Sequence, residues 1–151
     1  QIVGAQLYNL NRVAEARVFF ERAFEKKPDS ADAASALAQV YVALQEYGRA
    51  IDTLAPFLAG EEVPSYEMHV LAGRAHRMAG RYEDAIEILD RAVSHYGVNS
   101  SILNELGECY LGRGRADEAL KVFERSLELS PEQPEIRKKV EALKKRKEGA
   151  G

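Results

Sequence analysis

A small residue returns to the same place along the chain four times, and each time a second small residue follows twelve positions later. Gly4, Ala38, Gly73 and Gly107 are followed by Ala16, Ala50, Ala85 and Ala119. The spacing is 34 residues, with one extra residue in the second unit, and a self-similar period of this size marks a stacked repeat rather than one ordinary domain. Four copies result: residues 1–30, 31–65, 66–99 and 100–133, with the first copy starting inside its own first helix.

The best-formed copy is the fourth, NELGECYLGRGRADEALKVFERSLELSP from Asn104 to Pro131. Leu103, Leu106 and Tyr110 fall at spacings of three and four, and Leu120, Phe123 and Leu127 do so again after a break at Arg113-Gly114-Arg115. Two amphipathic helices, A and B, joined by a short turn are therefore predicted for each unit. Glycine ends the first helix cheaply because it tolerates positive φ. The corresponding turn residues are Gly80 in the third unit, Gln45 in the second and Asn11 in the first, asparagine being more tolerant of that conformation than most residues. The recurring small residues predict close approach of the two helices of a pair. Ser30, Ser65 and Asn99 stand just before helix A of units two, three and four as N-caps. Pro28 and Pro131 read as stops after helix B.

After Pro134 the pattern changes. Ile136, Val140 and Leu143 make one apolar stripe on a segment otherwise carrying Arg137, Lys138, Lys139, Lys144, Lys145, Arg146 and Lys147. That is expected of a capping helix over 134–147, which covers the apolar end of a stack and presents a solvated outer face. Residues 148–151 are expected to fray as a flexible tail.

Leu106-Gly107, Tyr110, Ala119, Phe123 and Pro131 stand together at the offsets of the tetratricopeptide-repeat family, which the chain resembles over nearly its whole length. Two features depart from that pattern: no tryptophan occupies position 4 of any unit, and Ala59–Ser65 makes a longer junction than usual. The resemblance implies an all-α solenoid, a right-handed superhelix of antiparallel helix pairs forming one domain over 1–147. Its A helices would line a concave groove that binds an extended peptide or a partner helix. By the same analogy the groove side chains are Ile2, Ala5, Ser35, Ala36, Gln39, Val42, Val70, Leu71, Arg74, Arg77, Asn104, Glu105 and Glu108. The lysine and asparagine clamp by which one branch of the family holds the acidic tails of chaperones is missing from the first two units.

Several residues carry two readings. Arg74 and Arg77 offer a cationic spot for a partner carboxylate, since guanidinium groups pair with carboxylates in a fork, or they pair internally with Glu105 and Glu108. Val70 and Leu71 are either a contact surface or partly covered by neighbouring helices. His69 and His76 lie seven apart, about 10.5 Å along one helix, too far to share a metal ion without further ligands, so they read as structural. Cys109 has no paired cysteine and no adjacent base to make it a nucleophile.

The remaining composition narrows the function. Apolar residues at 46% and charged residues at 30% describe a globular chain, and no apolar run is long enough for a membrane span. A net charge of -3 argues against nucleic-acid binding, and the basic run at Lys144–Lys147 lacks interleaved aromatics for base stacking. With one cysteine and no visible signal peptide, a cytoplasmic location is expected. No phosphate-cradling loop, metal set or convergent acid, base and nucleophile is present, so the expectation is a protein that is not an enzyme and needs no cofactor. The leading reading is a protein-interaction scaffold. The alternatives are a self-assembly module, a homo-oligomer formed through the apolar edge near Ile2, Val3, Leu7 and Leu10, or a substrate-presenting part of a larger enzyme.

Overall fold

In the computed structural model the backbone of residues 2–150 is described, with the side chains of residue 9 and residues 11–149. Eight α-helices and no strands occur among the described residues: α1 (Ile2–Lys26), α2 (Ala31–Ala43), α3 (Tyr47–Leu58), α4 (Tyr66–Met78), α5 (Tyr82–Tyr96), α6 (Ser100–Gly112), α7 (Ala116–Leu129) and α8 (Pro134–Ala150). The chain is an all-α helical-repeat solenoid. After α1 the helices follow in the order of A and B helices, α2 and α3, α4 and α5, and α6 and α7.

Local chemistry sets where these helices begin and turn. The hydroxyl of Ser30 accepts from the Ala33 amide at 3.2 Å, that of Ser65 from Met68 at 3.1 Å, and the Asn99 side chain from Ile102 at 2.9 Å, each satisfying an amide that the helix itself leaves unpaired. The A-to-B turns place Gln45, Gly80 and Gly114 at φ 61, 79 and 79, as the sequence led us to expect. In each turn the next residue's amide reaches back to a carbonyl five residues earlier: Glu46 to Tyr41, Arg81 to His76 and Arg115 to Tyr110, all at 2.8 Å.

Two expectations require correction. The first unit does not turn at Asn11, because α1 runs unbroken from Ile2 to Lys26. No residue near Asn11 forbids helix, and asparagine tolerates the left-handed conformation without demanding it, so the helical bonds continue through it. The second concerns the tail: α8 continues past Lys147 to Ala150, since Lys144–Glu148 are good helix formers and Gly149 falls in the last turn, where it costs little.

The chain divides into two compact units, Gln1–Ala75 and His76–Gly151. In the first, α1 packs on α2 and α2 on α3. Ala34, Ala38, Ala50 and Leu54 are wholly buried there, the small residues letting the helices close on one another. Arg17 fastens α1 to the turn after α2, bonding Glu21 at 2.7 Å and Glu46 at 2.8 Å, while the Tyr41 hydroxyl donates to Glu21 at 3.1 Å. These bonds hold the Glu21 carboxyl below its ordinary pKa, the Arg17 hydrogen bond foremost.

In the second unit α5 packs on α6, α6 on α7 and α7 on α8. Phe123 lies wholly buried over Gly107, where any β-carbon would overlap its ring, and the ring of Tyr82 lies over Gly112 in the same way. The α8 stripe Ile136, Val140 and Leu143 is buried in one cluster with Ala119, Leu120 and Phe123, so α8 is a cap.

Candidate functional site

The A helices α2, α4 and α6 carry the positions expected to face a ligand, and the two units treat them differently. On α2, Ser35, Ala36 and Val42 are half-buried and Gln39 is exposed. On α4, Val70 and Arg74 are half-buried, whereas Leu71 is 8% exposed. Leu71 continues the inward stripe of Met68, Ala72 and Ala75 at helical spacing and is covered by packing. The side chains of Ile2 and Ala5 lie outside the described residues.

In the second unit the polar A-helix residues are engaged within the protein. Arg77 pairs with Glu105 at 3.1 Å, and Glu105 is only 9% exposed because it follows the inward stripe of Ile102 and Cys109. Of the two readings of Arg77, the internal pair is the one formed. Glu108 pairs with Lys139 of the cap, whose ammonium also lies 5.7 Å from the centre of the Phe123 ring. Asn104 is bonded within the fold. Its amide nitrogen donates to Gln133 at 2.8 Å and its carbonyl accepts from the Ser126 hydroxyl at 2.6 Å. The Gln133 amide in turn donates to the Ser126 hydroxyl at 3.0 Å and to the Ser130 carbonyl at 2.7 Å. Ser126 is wholly buried, and this network satisfies it while fastening α6, α7 and the start of α8 together.

Neither Lys139 nor the Ser126 network was anticipated from the sequence. The available signals were slight. Lys139 falls three residues after Ile136 and so at the edge of the buried stripe, and Ser126 replaces the alanine that the first and third units carry as Ala23 and Ala92.

A second feature, also unanticipated, lies in the first unit. An open, mostly apolar groove of about 320 Å³ runs between α1 and α2, lined by Val13, Ala16 and Phe20 on one side and Ala36, Val40 and Ala43 on the other, with Gln39 and Arg12 completing the lining.

The histidines and the cysteine hold structural positions. His69 is buried and donates from Nδ1 to the Ser65 carbonyl at 2.8 Å, adding to the cap of α4. Burial lowers the His76 pKa, and its Nδ1 stands 3.9 Å from Asp84. Cys109 is wholly buried, and that burial pushes its thiol up to about 12. Among the described residues no group of three or more His, Cys, Asp and Glu is placed to hold a metal ion, and no helix is long and apolar enough to cross a membrane.

Paired helices closing on alanine and glycine, positive-φ turns and a one-striped cap define an α-helical repeat protein whose chemistry is that of contact surfaces. A family model for the tetratricopeptide repeat matches residues 70–134, and that for the anaphase-promoting complex, cyclosome, subunit 3 matches residues 9–92. The chain belongs to the tetratricopeptide-repeat family. Solved structures agree on the fold. A crystal structure of MamA superposes with a TM-score of 0.81 at 20% identity, covering 96% of this chain and 84% of that one. MamA 41-end from Desulfovibrio magneticus RS-1 gives 0.79 at 14% identity, covering 97% and 82%. YrrB, described as a tetratricopeptide-repeat protein with an unusual peptide-binding site, gives 0.72 at 23% identity, covering 95% and 74%. No curated protein sequence matches the chain significantly.

Proposed function

We propose that the chain is a non-catalytic protein-interaction scaffold that binds a peptide or a partner's helix on the A-helix faces of its first unit. The observation that carries this reading is the contrast between α6 and α2. On α6 the expected ligand positions Asn104, Glu105 and Glu108 are engaged by Ser126, Gln133, Arg77 and Lys139. On α2 and α4, Ser35, Gln39, Val42 and Val70 keep surface exposed and alternate polar with apolar groups. An extended peptide needs that mixture, because backbone groups must be hydrogen-bonded while apolar side chains supply the affinity. The peptide-binding site described for YrrB lies on a scaffold of the same fold and supports the reading by analogy.

Selection of random peptides displayed on phage against the purified chain tests this. Enriched peptides are expected to carry polar residues beside apolar ones, and to lose binding to Val70→Glu and Gln39→Ala. Arg77→Ala is expected to weaken binding much less, its guanidinium being committed to Glu105. Peptides that bind all three variants as they bind the parent chain would remove this surface from consideration.

A further inference from the structure

The groove between α1 and α2 lies where a helix A belongs. In the fourth unit, helix A lays Gly107 directly on the Phe123 ring, and the B-helix residues it covers, Ala119 and Phe123, are wholly buried. Ala50 and Leu54 of the second repeat, residues 31–65, are wholly buried at the same two positions. In the first unit the equivalent residues are Ala16 and Phe20, and both remain half-buried, lining an open apolar groove instead of a filled one. Beside them on α1, Phe19 is 69% exposed, one helical turn from Ala16 and Ala23.

The chain contains the segment that would fill this seat. Val3-Gly4 followed by Leu7 repeats the Leu106-Gly107 and Tyr110 pattern of α6, and Gly4 precedes Phe20 by the same sixteen residues that separate Gly107 from Phe123. Ile2–Leu10 holds no charged residue and includes Ile2, Val3, Leu7 and Leu10, a composition suited to burial. Yet α1 runs straight through Asn11, where the other three units turn, and at 1.5 Å per residue the arm carries Gly4 about 24 Å from Phe20 along the axis. The arm therefore points away from its own groove.

We infer that the groove is the seat of the Ile2–Leu10 arm of a second copy of this chain, the two copies exchanging arms across a two-fold axis. Such an exchange replaces an intramolecular helix contact by the same contact between chains, so it needs no new complementarity, and a hinge that stays open is what permits it. The groove and the arm are both apolar, which matches a permanent rather than a steered association. The exchange uses none of the peptide positions on α4, whereas Ala36 and Gln39 of α2 line the groove as well.

Sedimentation velocity of the full chain across a concentration series tests the exchange, with Val3→Glu breaking the arm and Phe20→Glu breaking the groove. Circular dichroism checks that each variant is folded, and Ala16→Glu takes the place of Phe20→Glu if the latter is not. The parent chain is expected to dimerise, and each variant alone to lose at least about tenfold in dimer affinity. An equal mixture of an arm variant and a groove variant is expected to recover a dimer, because one intact arm then meets one intact groove. A parent chain that is monomeric throughout, a dimer indifferent to Val3→Glu, or variants whose mixture recovers nothing would each overturn the inference. In the monomeric case the arm has another fate, such as closing on its own groove by a turn at Asn11.

Discussion

The ring of Phe123 occupies the space that a side chain on Gly107 would need. A β-carbon there would lie 2.8 Å from Cδ1 and nearer still to the two atoms beyond it. Phe123 is wholly buried and cannot swing aside, so Gly107→Ala forces α6 and α7 apart. We expect a loss of about 1–3 kcal/mol by urea denaturation. Gly48→Ala is the control: nothing lies within 4 Å of its β-position in α3, and relief of backbone entropy should stabilise by about 0.5–1 kcal/mol.

The three A-to-B turns differ in one respect that stability measurements can read. Gln45 adopts φ 61 where Gly80 and Gly114 adopt 79, and a residue with a β-carbon is strained there. Gln45→Gly is expected to gain about 0.5–1 kcal/mol, and Gly114→Ala to lose about 1–2 kcal/mol. Thermal unfolding of the two variants checks both signs. Equal and opposite shifts are not expected, because glycine also loosens the unfolded chain.

The pairing of Arg77 with Glu105 makes a thermodynamic cycle informative. Glu105 is buried, so Arg77→Ala removes a charged partner of its carboxylate and should cost about 1–3 kcal/mol. The double variant Arg77→Ala with Glu105→Leu removes the buried charge as well and is expected to recover much of that loss. Strict additivity of the two single changes would show that the residues do not interact.

Cys109 gives a pH dependence whose sign follows from burial. Its folded pKa, about 12, lies above the ordinary value of 9.0, so the folded state holds the proton more tightly than the unfolded state. The stabilising contribution is complete below pH 9 and declines as pH rises towards 12. Cys109→Ala should flatten that decline. In the native state the thiol is expected to resist a disulfide reagent at pH 8 and to react as soon as denaturant unfolds the chain.

Much of the fold was legible because the repeat fixes it locally. Alanine and glycine at the closest contacts, N-cap residues at Ser30, Ser65 and Asn99, and the Ile136, Val140, Leu143 stripe each state their role through residue type and spacing alone. Asn11 did not, since its own preferences allow both turn and helix and only the presence or absence of a packed partner decides. The ligand surface was legible only in outline. Family positions named Asn104, Glu105 and Glu108, but their partners Gln133, Arg77 and Lys139 lie about thirty residues away in sequence, and no period reports such a pairing. Leu71 kept two readings in the sequence for a simpler reason, as one residue of helical phase separates it from the half-buried Val70.

The central claim, that ligand binds on the A-helix faces of the first unit, is tested most directly by amide chemical-shift mapping with a peptide recovered from the display selection. The largest perturbations are expected on Ser35, Gln39, Val42, Val70 and Arg74. Perturbations centred instead on outer B-helix positions such as Glu87, Arg91, Lys121 and Arg125 would contradict it.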